Sequence, residues 1–149
     1  MTDTPLPPAH RIGPGSVSVR RTGTRTYEGS NARGVTVQIG PADAAGHFTP
    51  GELFKLALAG CAGMSTDRVI SRRLGEDYET VIWAHGTSEP DDRYDAVDEE
   101  MLLALGALEP ADREKLLRLI RRSIDASCTI ARTVHDSVDL ATTVNDEPV

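Results

Sequence analysis

The run from Leu53 to Met64 reads Leu-Phe-Lys-Leu-Ala-Leu-Ala-Gly-Cys-Ala-Gly-Met and is apolar on nearly every side apart from Lys55. A helix of that kind is buried on most of its surface rather than laid on one face. The rest of the chain must therefore supply layers that cover it. The start is marked by Thr49 as a helix cap, Pro50 at the first helical position and Glu52 in the first turn, where a carboxylate complements the helix dipole. The second half, Ser65–Arg73, turns polar, and Gly75 supplies a stop. Gly60 and Gly63 each cost about 1 kcal/mol of helix propensity relative to Ala, and they admit another backbone beside Cys61.

The flanking segments alternate with the period of strands. Val17 and Val19 alternate with Ser18 and Arg20, Gly23 interrupts the pattern, and Thr24–Glu28 reads as its continuation or its partner. Gly29-Ser30-Asn31 has turn chemistry, Gly34–Ile39 is a second strand, and Gly40–His47 is a loop. Beyond the helix, Thr80–Ser88 and Tyr94–Leu105 read as strands on either side of the turn Glu89–Asp92. The acidic start of the latter, Asp95–Glu100, reads as a solvated edge rather than a metal site. Glu109-Pro110 opens a second helix over Ala111–Ser123, with Leu117, Ile120 and Ile124 on one face. Cys128 extends that stripe if the helix continues or restarts there, and Ser137–Val144 is a last strand. The order β-β-α-β-β-α-β predicts an α+β fold with one domain over 16–144, an N-terminal tail over 1–15 and a C-terminal tail over 145–149.

The 149 residues suit a single domain with a real core. With 1 Trp, 3 Tyr and 2 Phe, that core must be built from Leu, Val, Ile and Ala. The net charge of −7 argues against nucleic acid as a partner, since phosphate binding needs a basic surplus. No apolar run approaches a membrane span, and the Pro-rich start has no signal-peptide core, so a cytoplasmic protein is expected. Thiols are kept reduced there. Cys61 and Cys128 therefore read as inert, metal-bound or redox-active, not as a permanent staple.

A lone buried cysteine is ordinarily a small hydrophobe. Here both lie on the apolar sides of helices that must pack together, so they can come within disulfide reach, with Cα atoms ~5–6 Å apart. Such a pair supports peroxide chemistry: a thiolate attacks the O–O bond, the sulfenic acid condenses with the second thiol, and an external dithiol restores both. The first cysteine needs a lowered pKa. Cys61 is nine residues past Glu52, too deep for the dipole of the helix start, and is expected to need a cation from elsewhere; Arg25 and Arg33 are candidates. Arg132, four residues after Cys128, is placed to support that thiol instead.

Pro50-Gly51-Glu52-Leu53-Phe54 running into Cys61, followed 67 positions later by Cys128-Thr129-Ile130-Ala131-Arg132-Thr133, resembles the OsmC/Ohr family of hydroperoxide-reducing and stress-inducible bacterial proteins. The segment Tyr27–Gly34 is similar to an N-terminal part of OsmC-type members. The resemblance implies antiparallel sheets wrapped around two long central helices in an intertwined homodimer. It implies that Cys61 is the peroxidatic and Cys128 the resolving cysteine, that the substrates are organic hydroperoxides, and that a lipoyl-type dithiol is the reductant. No metal, haem or flavin cofactor is implied. In the family an arginine and a glutamate sit near the reactive cysteine. Arg33 is the favoured match for the first; the glutamate's usual place, ten residues before Cys61, holds Gly51, and the acid stands one residue later at Glu52. One residue on a helix is a rotation of about 100°. Thr129 also stands where many members have Pro.

Three functions compete. A thiol-dependent hydroperoxide reductase is favoured by the two cysteines. A non-catalytic relative binding a small apolar or electrophilic ligand is favoured by Gly51 in place of the acid. A metal site built on Cys61, Cys128 and two of His47, His85 and His135 lacks the local ligand pairs that structural zinc sites use.

Overall fold

The computed structural model describes residues 5–149, so the first four residues of the predicted 1–15 tail lie outside the described residues. The chain divides into two compact units, Met1–Pro50 and Gly51–Val149.

The first unit is a three-stranded antiparallel sheet in the order β1 (Val17–Gly23), β2 (Thr26–Asn31), β3 (Thr36–Ile39). Thr24–Glu28 thus opens the partner of β1, reached through a tight turn in which Arg25 takes a φ of 59°. Gly29-Ser30-Asn31 is not a turn but the end of β2. The turn comes after it, because Asn31 Oδ1 accepts from the N–H groups of Arg33 (2.9 Å) and Val35 (3.0 Å) and closes the chain over the residues that follow. Gly29 lies in the strand because Val37 and Ile39 pack against it, 3.1 and 3.2 Å from where a Cβ would stand. Among the described residues of this unit, only Gly29 and Gly40 are buried.

The second unit contains α1 (Pro50–Leu74), β4 (Thr80–His85), β5 (Ala96–Leu103), α2 (Pro110–Ser127), α3 (Thr129–Val134), β6 (Asp139–Val144) and β7 (Glu147–Pro148). Pro50 opens α1 as expected, and Gly75 stops it with a φ of 98° and an N–H donated to Ser71 O. The sheet order is β4-β5-β6-β7. The pairs are antiparallel except β5–β6, which is parallel and joined by the α2–α3 crossover that such a pair requires. Part of the predicted C-terminal tail is β7, paired with β6 and held by an ion pair between Arg113 and Glu147.

The helix α2 buries Leu116, Ile120 and Ile124 at steps of four, and Cys128 follows in the same row. Leu117, expected in that row, packs only partly against it. These residues meet Ile70 of α1 and Met101, Leu103 and Val144 of the sheet, while Leu58, Val97 and Val138 form a second cluster. The acidic segment at the start of β5 is not a solvated edge. β5 lies between β4 and β6, and its inward positions are Val97, Glu99, Met101 and Leu103. Strand alternation carries Glu99 into the core with its apolar neighbours. The apolar helix α1, expected to be buried all round, buries Leu58, Ala59, Ala62, Thr66 and Ile70 but leaves Leu56 50% and Met64 84% exposed.

Candidate active site

Cys128 marks the break between two helices. It caps the end of α2 with its N–H donated to Ile124 O, leaves helical geometry (φ −76°, ψ 95°), and caps the start of α3. The first turn of a helix carries backbone N–H groups without intrahelical partners. In α3 those of Thr129 and Ile130 are turned onto the sulfur of Cys61 on α1, and the Cys128 thiol and the Ser65 side chain also hydrogen-bond to it. Both cysteines are free thiols; Cys61 is half-buried and Cys128 fully buried.

This geometry separates the two thiols. Burial pushes Cys61 up, but the donors outweigh it: the N–H of Ile130, the Cys128 thiol, the N–H of Thr129 and Ser65 together bring its pKa below the ordinary thiol value. Burial also pushes Cys128 up, the Ala131 N–H opposes this in part, and the adjoining Cys61 and the charge of Glu99 add to it, to about 11. Two neighbouring groups driven apart in this way divide roles, one ionised and one protonated. Within its own unit, the groups that lower Cys61 are backbone and side-chain hydrogen-bond donors.

Cys61 opens onto an apolar recess of about 550 Å³ lined by Leu56, Ala57, Gly60, Met64, Ser65 and Thr129. Gly60, which the sequence suggested would admit a packed backbone, has open space beside it and lines this recess. Gly63 does pack closely: Ile82 Cδ1 lies 3.1 Å from the place of its missing Cβ. A larger open hollow of about 730 Å³, lined by Asp67, Tyr78 and Asn145 among others, contains neither cysteine.

Arg33 and Arg25 lie on the two turns of the first unit. Arg132 donates to Ala126 O (3.3 Å), capping α2. Glu52 is exposed in the first turn of α1, about 13 Å along the axis from Cys61 at 1.5 Å per residue. At Gly51 a side chain would run into the Tyr94 hydroxyl. Tyr94 is held there by Phe54 (ring centroids 5.4 Å apart) and lies beneath Lys55, whose Nζ donates to Gly86 O. That explains both Gly51 and the unusual lysine. His47 hydrogen-bonds Ala45 O, His85 pairs with Glu100, and His135 pairs with Asp136. Among the described residues, no three or more His, Cys, Asp or Glu side chains are grouped to hold a metal ion. No helix among them is long and apolar enough to cross a membrane.

Sequence reasoning missed Ser65, Glu99 and the donors of α3. Ser65 was legible as the residue one turn after Cys61; the α3 donors depend on a helix break at Cys128 that no Gly or Pro announces.

Comparison with known proteins agrees with this architecture. An uncharacterized protein of Mycobacterium bovis is 45% identical over 132 residues, covering 88% of this chain and 93% of the relative. A crystal structure of a hypothetical protein from Aquifex aeolicus superimposes with a TM-score of 0.70 at 16% identity, covering 89% of this chain and 96% of the other. The organic hydroperoxide resistance protein OhrB of Bacillus subtilis superimposes with a TM-score of 0.59 at 20% identity, covering 87% and 96%. The family model described as OsmC-like protein matches residues 40–143. The chain belongs to the OsmC-like protein family.

Proposed function

We propose that this protein is a thiol-dependent peroxidase that reduces organic hydroperoxides. One observation carries the reading: two adjoining cysteines with oppositely shifted thiols, the lowered one opening onto an apolar recess. The Cys61 thiolate attacks the terminal oxygen of R–O–O–H, the O–O bond breaks, and the alkoxide leaves as the alcohol after taking a proton. Cys61 is then a sulfenic acid. The Cys128 sulfur attacks it, water leaves, and a Cys61–Cys128 disulfide forms. A dithiol of the lipoyl type returns both thiols by exchange, and no cofactor takes part. The recess suits an apolar R group. Arg33 and Glu52 are assigned auxiliary roles by resemblance to the family, beside the hydrogen-bond donors around Cys61.

The working form is an intertwined homodimer in the cytoplasm. Among the described residues of the first unit only Gly29 and Gly40 are buried, and α1 presents Leu56 and Met64 to solvent. A second copy covering these surfaces accounts for both. A ligand-binding protein without turnover is the second reading, favoured by Gly51 where the family has its acid. Turnover of cumene hydroperoxide with dithiothreitol separates the two. The peroxidase reading requires wild-type turnover, none in Cys61→Ser, and a dimedone-reactive sulfenic acid in Cys128→Ser. A wild-type protein that binds the hydroperoxide without consuming it supports the second reading.

A further inference from the structure

A second recess, of about 480 Å³, lies within the Gly51–Val149 unit among α2, α3, β5 and β6, and neither cysteine lines it. Ile124, Ala131 and Leu140 give it apolar walls. Its buried acid is Glu99 of β5, only 4% exposed. One carboxyl oxygen, Oε2, accepts from Thr142 Oγ1 at 3.2 Å, and the other, Oε1, has no partner among the described residues. The last torsion of a glutamate side chain is broad, so the carboxyl can present either oxygen to a donor in the recess. A buried acceptor left unpaired is costly, and a donor placed there removes that cost. The cations that line the recess are turned to other acceptors: Arg121 to Asp125 and Val149 O, Arg132 to Ala126 O, and His135 to Asp136. A guanidinium carries five N–H donors. Arg121 uses two of them and Arg132 one in these bonds, so both keep donors for an anion at the exposed rim. With no cation beside it, the Glu99 carboxyl is pushed by burial up to about 7.

We propose that this recess binds a small amino acid as its zwitterion, the ammonium group donating to the Glu99 carboxylate, the carboxylate held by Arg121 and Arg132, and the apolar part resting on Ile124, Ala131 and Leu140. The class of ligand follows from the lining. A buried acceptor without a cation calls for a protonated amine, because an ammonium–carboxylate hydrogen bond is charge-assisted and stronger than a neutral one. Guanidinium groups with unused donors suit a carboxylate. A simple amine leaves those donors unused, and a simple carboxylate brings a second negative charge to Glu99. A bare metal ion does not fit, since among the described residues no three His, Cys, Asp or Glu side chains are grouped to hold one. The ammonium group selects the ionised form of Glu99, so binding strengthens as pH rises through the titration of that carboxyl. The other charged or titratable groups around it are Asp125 on α2, His135 on α3, Asp139 on β6 and the Cys128 thiol, which feels the Glu99 charge. All of them remain when Glu99 alone is replaced, so a comparison with Glu99→Gln isolates its contribution. The site takes no part in the thiol chemistry and stands whether or not Cys61 and Cys128 form a redox pair.

The test is isothermal titration calorimetry on the intact, reduced protein with L-leucine, ε-aminocaproate, isoamylamine and isovalerate as probes. Leucine and ε-aminocaproate differ in the spacing of amine and carboxylate, and at least one of them should bind saturably. Isoamylamine and isovalerate each keep one charge and should bind about tenfold more weakly or not at all. For a carboxyl that titrates near 7, affinity for the amino acid should rise about tenfold between roughly pH 6 and pH 8. In Glu99→Gln that gain should vanish, with affinity at the alkaline end down about tenfold. The double variant Arg121→Met, Arg132→Met changes only exposed positions; it should lose affinity for the amino acid and keep that for isoamylamine. Neither amino acid binding, isoamylamine or isovalerate matching them in the wild type, a pH gain that survives in Glu99→Gln, or an unchanged amino acid affinity in the double variant would each overturn the proposal. The first two outcomes are read on the wild type, so they decide even if a variant fails to fold. Hydroperoxide turnover does not enter the measurement, so the peroxidase reading stands or fails separately.

Discussion

Glu99→Gln should remove a pH dependence from the stability of the fold, apart from any effect on chemistry. The carboxyl is buried in β5, bonded only through Oε2 to Thr142, and raised from 4.5 to about 7, chiefly by burial. The folded chain therefore holds this proton more tightly than the unfolded chain. Between those two values the unfolded state has released a proton that the native state keeps, so stability falls as pH rises. Integrating from pH 5 to pH 8 gives a loss of roughly 2–3 kcal/mol from this one group, since each pH unit of separation is worth about 1.4 kcal/mol. Gln keeps the shape and cannot ionise. Urea unfolding of both proteins at the two pH values provides the measurement, because histidines and other titrating groups cancel in the difference between variant and wild type. The variant should gain roughly 2–3 kcal/mol on the wild type between pH 5 and pH 8, whatever its absolute stability at either. Wild-type and variant stabilities that run parallel over this range would refute the assignment of Glu99 as a buried, raised carboxyl.

The two thiols should alkylate with iodoacetamide in a fixed order: Cys61 at a lower pH than a free thiol, Cys128 only well above it, as read by peptide mass spectrometry across a pH series. Ser65→Ala removes one of the donors on Cys61 and should raise the pH at which that residue reacts, leaving the two α3 donors in place. Gly51→Ala should cost about 1 kcal/mol by urea unfolding despite the helix propensity it gains, because it displaces the Tyr94 ring from Phe54 and Lys55; Tyr94→Phe in the same chain should recover part of the loss. Light scattering should give twice the chain mass in solution, and Met64→Glu on the exposed face of α1 should shift the mass toward that of one chain.

Much of the fold was legible because it follows from local chemistry. Pro50 and Gly75 bound α1 by the geometry that each residue imposes, and the alternation of Val35, Val37 and Ile39 marks β3. The failures share a cause, which is that tertiary position decided against local composition. Asp95–Glu100 looks solvated by charge, yet Val97, Met101 and Leu103 already fix the inward face at spacing two, and Glu99 falls on it. The exposure of Leu56 and Met64 depends on what lies opposite α1, which no pattern within α1 encodes. The pairing of Cys61 with Cys128 was readable as a possibility from two apolar helical faces. The source of thiol activation was not, because it lies in backbone N–H groups freed by the change of geometry at Cys128.

The central claim is that Cys61 and Cys128 form a peroxide-driven redox pair. It is tested most directly by adding one equivalent of cumene hydroperoxide to the reduced protein, quenching with a thiol-alkylating agent over time and mapping the peptides by mass spectrometry. The account predicts oxidation of Cys61 first, then a peptide pair joined through Cys61 and Cys128, with both free thiols lost together. Both thiols remaining fully titratable in the presence of excess hydroperoxide would contradict it.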